Sequence, residues 1–466
     1  METPITVTAL AMEAGEGKAI ICSCDMTSID EDIVRRVREL IADRKDVPAD
    51  RIIVNATHTH TSHNYTVRKR FDTSSGSTLG ILRRYIPDDM VYKPLVEAQG
   101  EMMTGEESFE FVSRRIAEAC VAAWDARTEG MYACGFGRAV VGMCRRVDFS
   151  DGSARMWGDA DSAAFTELEG GNDSGVELIY TFDKAGKLTG VVANVACPSQ
   201  VLEHRSFVSS DYWGKVKKIL REKLSGDLYL LALCSAAGDQ CPRDLVRWVQ
   251  PETPINDPNI DRPHPRYRRA DPSMFDIKGA ELIGKRVANE IISVYEDLEE
   301  PRDKAVFKHE VMTLDLPLRR VTPAETEAAR RAIKEFVADN KGRQVNYMDT
   351  AMMHVHAGTI ARWEYQYDHD VWPVEVHFMR LGDVAFATNP FELFLDYGNQ
   401  IRARSLAAQT FLIQLANGAC GYLPTEKAEK GGHYSAYVSS GHVGHEGGEL
   451  LVRETLKVIN SMFADD

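Results

Sequence analysis

Two histidines one residue apart close an apolar run. The segment IIVNATHTHTSHN, residues 52–64, carries a strand-like stretch straight into His58 and His60. Side chains on an extended chain alternate, so residues two apart share a side and can present two imidazoles to one point. Neutral imidazole beside carboxylate is the usual donor set of catalytic zinc, which keeps one position open for water. The competing reading is a pair of histidines that only hydrogen-bond at a strand end. Four further runs put reactive types directly after apolar stretches. They are CPSQVLEH with Cys197 and His204, GDQCPRD with Cys241, NPFELF with Glu392, and GACGYLPT with Tyr422. In open α/β sheets, ligands bind beyond the carboxyl ends of the strands. Each piece alone is a weak signal. Five ends delivering His, Cys, Asp, Glu and Tyr to one rim make a constellation.

The elements that must position these residues read as α/β. Residues 18–26 form a buried strand. Residues 28–46 begin with a Ser/Asp cap and place Ile33, Val34, Val37, Leu40 and Ile41 at helical spacing. Residues 51–56 are a second strand, so the unit implies a parallel pair with a right-handed crossover. The pattern recurs: strand 188–197, helix 210–224, strand 228–239, helix 279–298, a strand running into a helix over 383–405, and strand 410–418. Residues 303–318 alternate in strand fashion, and 323–341 form a helix whose Ala-rich face reads as packing. The Pro-, Gly- and Asp-rich stretch 251–275 reads as long loops. The expectation is α/β, a single large domain over residues 1–466 with a mostly parallel or mixed central sheet flanked by helices. A β-rich subregion is expected between 303 and 378.

Composition narrows the function classes. The chain has 466 residues and a formal net charge of −15, which argues against general nucleic-acid binding and against docking on an anionic membrane. The basic run RPHPRYRRAD, residues 262–271, reads as a solvated loop. The first residues have neither the basic start nor the apolar core of a signal peptide. No window approaches the roughly 18 consecutive apolar residues of a membrane-spanning helix. Nine cysteines, scattered and mostly inside apolar runs, read as reduced thiols of a cytoplasmic protein. A small-molecule substrate is expected, with no nucleic-acid or membrane partner; self-association into a homo-oligomer is compatible with the sequence.

At these residues the chain resembles the neutral ceramidase family and its bacterial relatives, over most of its length. The ordered motifs are NATHTHTSHN, CPSQVLEHRSFVSSDYWG, AAGDQCPRD, NPFELFLDYGNQIR and NGACGYLPTEKAEKGGHY. In the last, Tyr422 and Tyr434 keep the twelve-residue spacing of the family's two functional tyrosines. The resemblance implies one zinc ion per chain, with another divalent metal as the alternative. It implies His58, Glu392 and Tyr422 as ligands, and His60 and Tyr434 as groups that polarise the substrate carbonyl or its oxyanion. Family members cleave an amide with metal-bound water.

Two departures stand out. The family's second histidine ligand falls on Cys197, while His204 lies seven residues later; either could serve, and both stay open. The family's serine falls on Cys241, which is either a thiolate nucleophile or a small buried filler. The family's C-terminal immunoglobulin-like domain and its opening strand are expected to be absent, which argues against a sphingolipid substrate. The leading expectation is a zinc-dependent hydrolase of an amide, with ester or lactone as lesser alternatives, in a small soluble molecule. The others are a non-catalytic binding protein on the same fold, and a metal-dependent lyase or isomerase acting on a polyhydroxylated substrate.

Overall fold

In the computed structural model, the described residues are 1–63, 78–87, 90, 102–203, 205–249, 269–270, 276–343 and 347–464. Their longer strands fall into three sheets. The first is β1 (Val7–Ala14), β2 (Gly17–Cys24) and β3 (Ile52–Ala56), in that order. The second holds β4 (Gly130–Arg138), β5 (Gly175–Asp183), β6 (Leu188–Val195) and β7 (Tyr229–Cys234), in the order β7-β6-β5-β4. The third is β8 (Phe307–Pro317), β9 (Val371–Leu381), β10 (Val384–Thr388) and β11 (Gln409–Ile413). The main helices are α1 (Glu31–Leu40), α2 (Gly105–Asp125), α3 (Asp211–Lys223), α4 (Asp276–Glu296), α5 (Pro323–Asp339), α6 (Tyr347–Tyr365), α7 (Leu395–Arg404) and α8 (His445–Phe463).

The α/β class and the mixed sheet are as the sequence implies, with the strands shared among three sheets. Each sheet contains one parallel pair, β2 with β3, β6 with β7, and β10 with β11. The remaining pairs in them are antiparallel. A parallel pair needs a crossover, and α1, α3 and α7 lie on those three connections. Hydrophobic period alone carries no information on strand direction, so the antiparallel partners were not legible.

The three sheets turn one face each toward a shared core. Ile21 and Ile53, Ile179, Val192 and Leu231, and Met379, Phe386 and Phe411 meet there. The outer faces are covered by helices: α1 and α2 over Cys22 and Val54, α3 and α4 over Val191 and Leu230, α7 and α8 over Phe378 and Ala387. Strands covered on both faces must be apolar at every position, which is why KAIICSC and YLLALC read as unbroken runs.

The region 303–378 is less β-rich than expected. β8 and β9 pair along their whole lengths, but the chain between them folds as α5 and α6, which pack with the short helix Thr78–Arg83. α5 starts at a Thr322/Glu325 capping box with a proline in its first turn. Among the described residues no helix is long and apolar enough to cross a membrane.

The strand that leads to His58 is anchored sideways by buried polar groups. Asn417 Oδ1 accepts from the Val54 amide at 2.7 Å, and its Nδ2 donates to Ile52 O at 3.1 Å. The same amide nitrogen lies 2.8 Å from Glu375 Oε1 and 2.9 Å from His377 Nε2. His377 Nδ1 meets His309 Nε2 at 3.0 Å, and His309 Nδ1 donates to Lys18 O at 2.8 Å. Arg38 closes the chain with two bonds to Glu375, at 2.8 and 2.9 Å.

Burial lowers the pKa of His309 to about 3 and also lowers that of His377. Against the cost of burial, His377 and Arg38 hold Glu375 well below the usual carboxylate range. The unfolded chain therefore binds more protons than the folded one between about pH 6.5 and 3, so stability falls as pH falls through that window. Glu375 acts in the same direction below its ordinary pKa. The urea midpoint should drop between pH 7 and pH 4, and His309→Gln should flatten that drop. An identical pH dependence in His309→Gln would contradict the assignment.

Candidate functional site

The carboxyl ends of the three parallel pairs converge. Ser235 N donates to Val195 O at 2.9 Å, Gln414 N to Cys234 O at 3.0 Å, and Ala56 N to Leu415 O at 3.3 Å. An isolated bridge joins Asn55 to Ala416. The ends of β3, β6, β7 and β11 are thus stitched into one rim, the place where α/β sheets bind ligands.

His58 does not continue its strand. β3 stops at Ala56, and His58 takes a left-handed backbone with φ of 62°, a conformation that costs a non-glycine residue on the order of 1–3 kcal/mol. Its neighbours hold it there. Thr59 and Thr61 donate their hydroxyls to Ser209 O at 2.9 and 3.0 Å, and Thr27 donates to Thr59 O at 2.8 Å. The outcome is a fixed tautomer. His58 Nδ1 lies 2.5 Å from Thr27 O. A carbonyl oxygen only accepts, so Nδ1 carries a proton, and in the neutral ring this leaves Nε2 as a bare acceptor. That Nε2 faces Glu392 Oε2 at 3.2 Å.

Glu392 sits on a two-residue strand, Glu392–Leu393, paired in parallel with Tyr422–Leu423, so Glu392 and Tyr422 stand side by side in register. Two glycines let other segments pack closely on these short strands. A Cβ at Gly238 would overlap the Glu392 carbonyl, and Gly421, at φ of 74°, would clash with Ser440 O. Burial pushes the Glu392 pKa up, but the charge and hydrogen bond of a protonated His58, then Arg145 and the Tyr422 hydroxyl, outweigh it.

Arg145 is the residue that sequence reading missed. It is 4% exposed. It donates from Nη2 to Gly238 O at 2.8 Å and to the Tyr422 hydroxyl at 3.3 Å, and from Nη1 to Gln200 Oε1 at 3.3 Å. Burial works against its charge, yet Tyr422, Glu392 and Cys241 around it raise its pKa overall. The available signal was a pair of arginines, CRRVD, interrupting a run of small and apolar residues.

Tyr422 and Tyr434 meet as expected. Their rings pack edge to face with centroids 5.5 Å apart, and the Tyr422 hydroxyl donates to that of Tyr434 at 3.4 Å. Tyr422 is 8% exposed and Tyr434 48%, so Tyr434 is the solvent-side member. His60 joins from the other side. Its ring lies 4.7 Å from that of His58, and its Nδ1 donates to His58 O at 3.0 Å. Burial, then the neighbouring His58, lowers its pKa to about 3. His60 is therefore neutral at pH 7 with Nε2 free to accept.

The cysteines do not join this group. Cys197 is fully buried and gives its thiol hydrogen to Pro198 O at 3.4 Å; burial and the nearby Cys241 and Cys234 push its pKa far up. Cys241 is also fully buried, with its thiol toward Arg243 O at 3.4 Å, and burial pushes its pKa up to about 12. That is opposite to what a thiolate nucleophile needs. His204, the other candidate for the second imidazole, lies outside the described residues. Among the described residues, no three His, Cys, Asp or Glu side chains form a group able to hold a metal. A donor set here must therefore draw on the Tyr422 hydroxyl besides His58 and Glu392. The His58–Glu392 separation of 3.2 Å is compatible both with a shared cation and with a direct imidazolium–carboxylate bond.

No protein-family model matches the chain, and no curated protein matches it at a significant level. Solved structures do. One described as a ceramidase complexed with C2 has a TM-score of 0.64 at 12% identity, covering 100% of this chain and 71% of that one. The neutral ceramidase from Pseudomonas aeruginosa has a TM-score of 0.62 at 15% identity, covering 96% of this chain and 67% of that one. At such identities the likeness is one of fold, and the fold is neutral-ceramidase-like.

The burial of Cys241 has a direct chemical consequence. With iodoacetamide at pH 7.5, the partly exposed Cys134 and Cys420 should react before Cys241, and Cys241→Ala should keep most of any activity. Selective early alkylation of Cys241, with loss of activity in Cys241→Ala, would restore it as a nucleophile.

Proposed function

We propose that this chain is a metal-dependent hydrolase of amide bonds in a small soluble substrate, with zinc as the ion its donors suit best. One observation carries the reading. A histidine whose Nδ1 proton is committed to Thr27 O places its Nε2 3.2 Å from a carboxylate, and in the neutral ring both atoms are acceptors. Two acceptors at that distance repel unless a cation lies between them. His58 and Glu392 would hold the ion with Tyr422 as a third donor. When bound, such an ion polarises a carbonyl and brings the pKa of water toward neutrality.

The chain's own groups supply the rest. His60, held neutral, accepts a hydrogen bond at Nε2 from the attacking water and orients it. Tyr434, half-exposed above Tyr422, donates its hydroxyl to the oxygen where negative charge develops. Arg145 bonds the Tyr422 hydroxyl from behind and holds positive charge beneath the cluster.

The second reading is a binding protein in which His58 is an imidazolium paired with Glu392. It draws on Arg145, which already provides a fixed positive charge beside that carboxylate. Turnover separates the two. Short N-acyl amides should yield products whose summed mass exceeds the substrate by one water, with activity lost on chelation and restored by zinc. His60→Gln and Tyr434→Phe should each lower kcat by about 10²- to 10³-fold. Retained binding without any product, in protein reloaded with zinc, would favour the binding protein. A product of unchanged total mass would favour a lyase or isomerase.

A further inference from the structure

Arg145 has a neighbour that faces the other way. Arg146 is wholly buried, and its guanidinium makes a fork to Glu169, Nε to Oε1 at 2.6 Å and Nη2 to Oε2 at 2.8 Å. Its remaining hydrogens go to one loop. Nη1 donates to Tyr434 O at 2.8 Å and Ser435 Oγ at 3.3 Å, and Nη2 to Gly432 O at 2.8 Å and Ala428 O at 3.4 Å. That loop needs restraint. After the short helix Glu426–Gly431, the residues Gly432, His433 and Ser435 have φ of 71°, 70° and 70°. Two of them carry side chains, for which this region costs on the order of 1–3 kcal/mol each. The residue between the strained positions is Tyr434.

We propose that Arg146 and Glu169 are a positioning pair for Tyr434: the guanidinium gathers the carbonyls of residues 428, 432 and 434, and the carboxylate makes its burial tolerable. This rests on the reading that the Tyr434 hydroxyl contacts the reacting group. Adjacent arginines thus organise the two tyrosines, Arg145 through the hydroxyl of Tyr422 and Arg146 through the backbone of Tyr434. The planar fork is essential, because a lysine ammonium offers a point charge and too few directed donors for this set of acceptors. Other contacts hold the loop from outside. Lys427 bonds Glu167 at 2.8 Å and Asp148 at 2.9 Å, and Met156 N donates to His433 Nδ1 at 3.2 Å. None of them touches the Tyr434 backbone.

The test compares Arg146→Lys and Glu169→Gln with wild type by amide hydrogen exchange and by steady-state kinetics on a short N-acyl p-nitroanilide. A third variant, Arg146→Met with Glu169→Met, removes both charges together and avoids leaving one buried alone. Exchange should rise within residues 426–436 and stay at the wild-type level elsewhere. kcat should fall about 10- to 100-fold, the scale of a displacement near 1 Å, with KM nearly unchanged. On a Tyr434→Phe background, Glu169→Gln should lower kcat by no more than about twofold, since the two would act through one group. Unchanged exchange in 426–436 would overturn the pairing, and so would a full additional loss of kcat on the Tyr434→Phe background. If wild type hydrolyses no probe, the functional reading fails on its own, and the exchange measurement still decides whether this pair orders the loop.

Discussion

The carbonyl of Thr27 sets the state of everything near it. By accepting from Nδ1 of His58 it makes Nε2 the acceptor of the neutral ring, and the fold brings the Glu392 carboxylate to 3.2 Å from that nitrogen. In bulk water each acceptor would be satisfied by solvent. In this buried rim an unpaired polar group costs on the order of 1–3 kcal/mol, and more when charged. A cation shared by the two groups would satisfy both, and that is the basis of the proposed metal site. Orientation of a ligand histidine by a backbone carbonyl is the usual second layer of a metal site.

Holding that pair in place requires much of the molecule. Three sheets each contribute one parallel pair, and their carboxyl ends are joined by backbone bonds through residues 195, 234, 414 and 415. β3 is fixed laterally by the network that runs from Asn417 through His377 to His309. The left-handed turn at His58 stores strain, which the threonines 59 and 61 offset by bonding to Ser209 O. Glycine at 238 lets its segment pack on the Glu392 carbonyl, and glycine at 421 lets the residue before Tyr422 pack on Ser440 O. Below them lie two buried arginines that face opposite sides. The site is thus a feature of the packed rim, not of any one loop.

His58, His60, Glu392, Tyr422 and Tyr434 were legible because each follows an apolar strand or stands in an ordered motif, and the structure brings these five together. Arg145 and Arg146 were not. An arginine in sequence reads as a solvated charge, and only tertiary contacts reveal one sealed inside. Cys197 and Cys241 stood in the ordered motifs and in apolar runs, and the structure buries both, which for Cys241 favours the filler reading over the nucleophile. In the fold, strands covered on both faces declared themselves as apolar runs, and α5 by its Ala-rich helical run. α6 carries apolar residues around its circumference, so it shows no helical stripe. α2 begins at a Thr104/Glu107 capping box that also passed unread. Strand direction, and hence the division into three sheets, depends on pairings between distant segments that no local pattern encodes.

The central requirement is a cation between His58 and Glu392. It is tested most directly by X-ray diffraction from crystals of protein purified without added metal, with data collected on both sides of the zinc absorption edge. The account predicts one anomalous peak per chain, within about 2.0–2.2 Å of both His58 Nε2 and Glu392 Oε2. A fully ordered site with no peak, and with His58 and Glu392 in direct contact at hydrogen-bond distance, would contradict it.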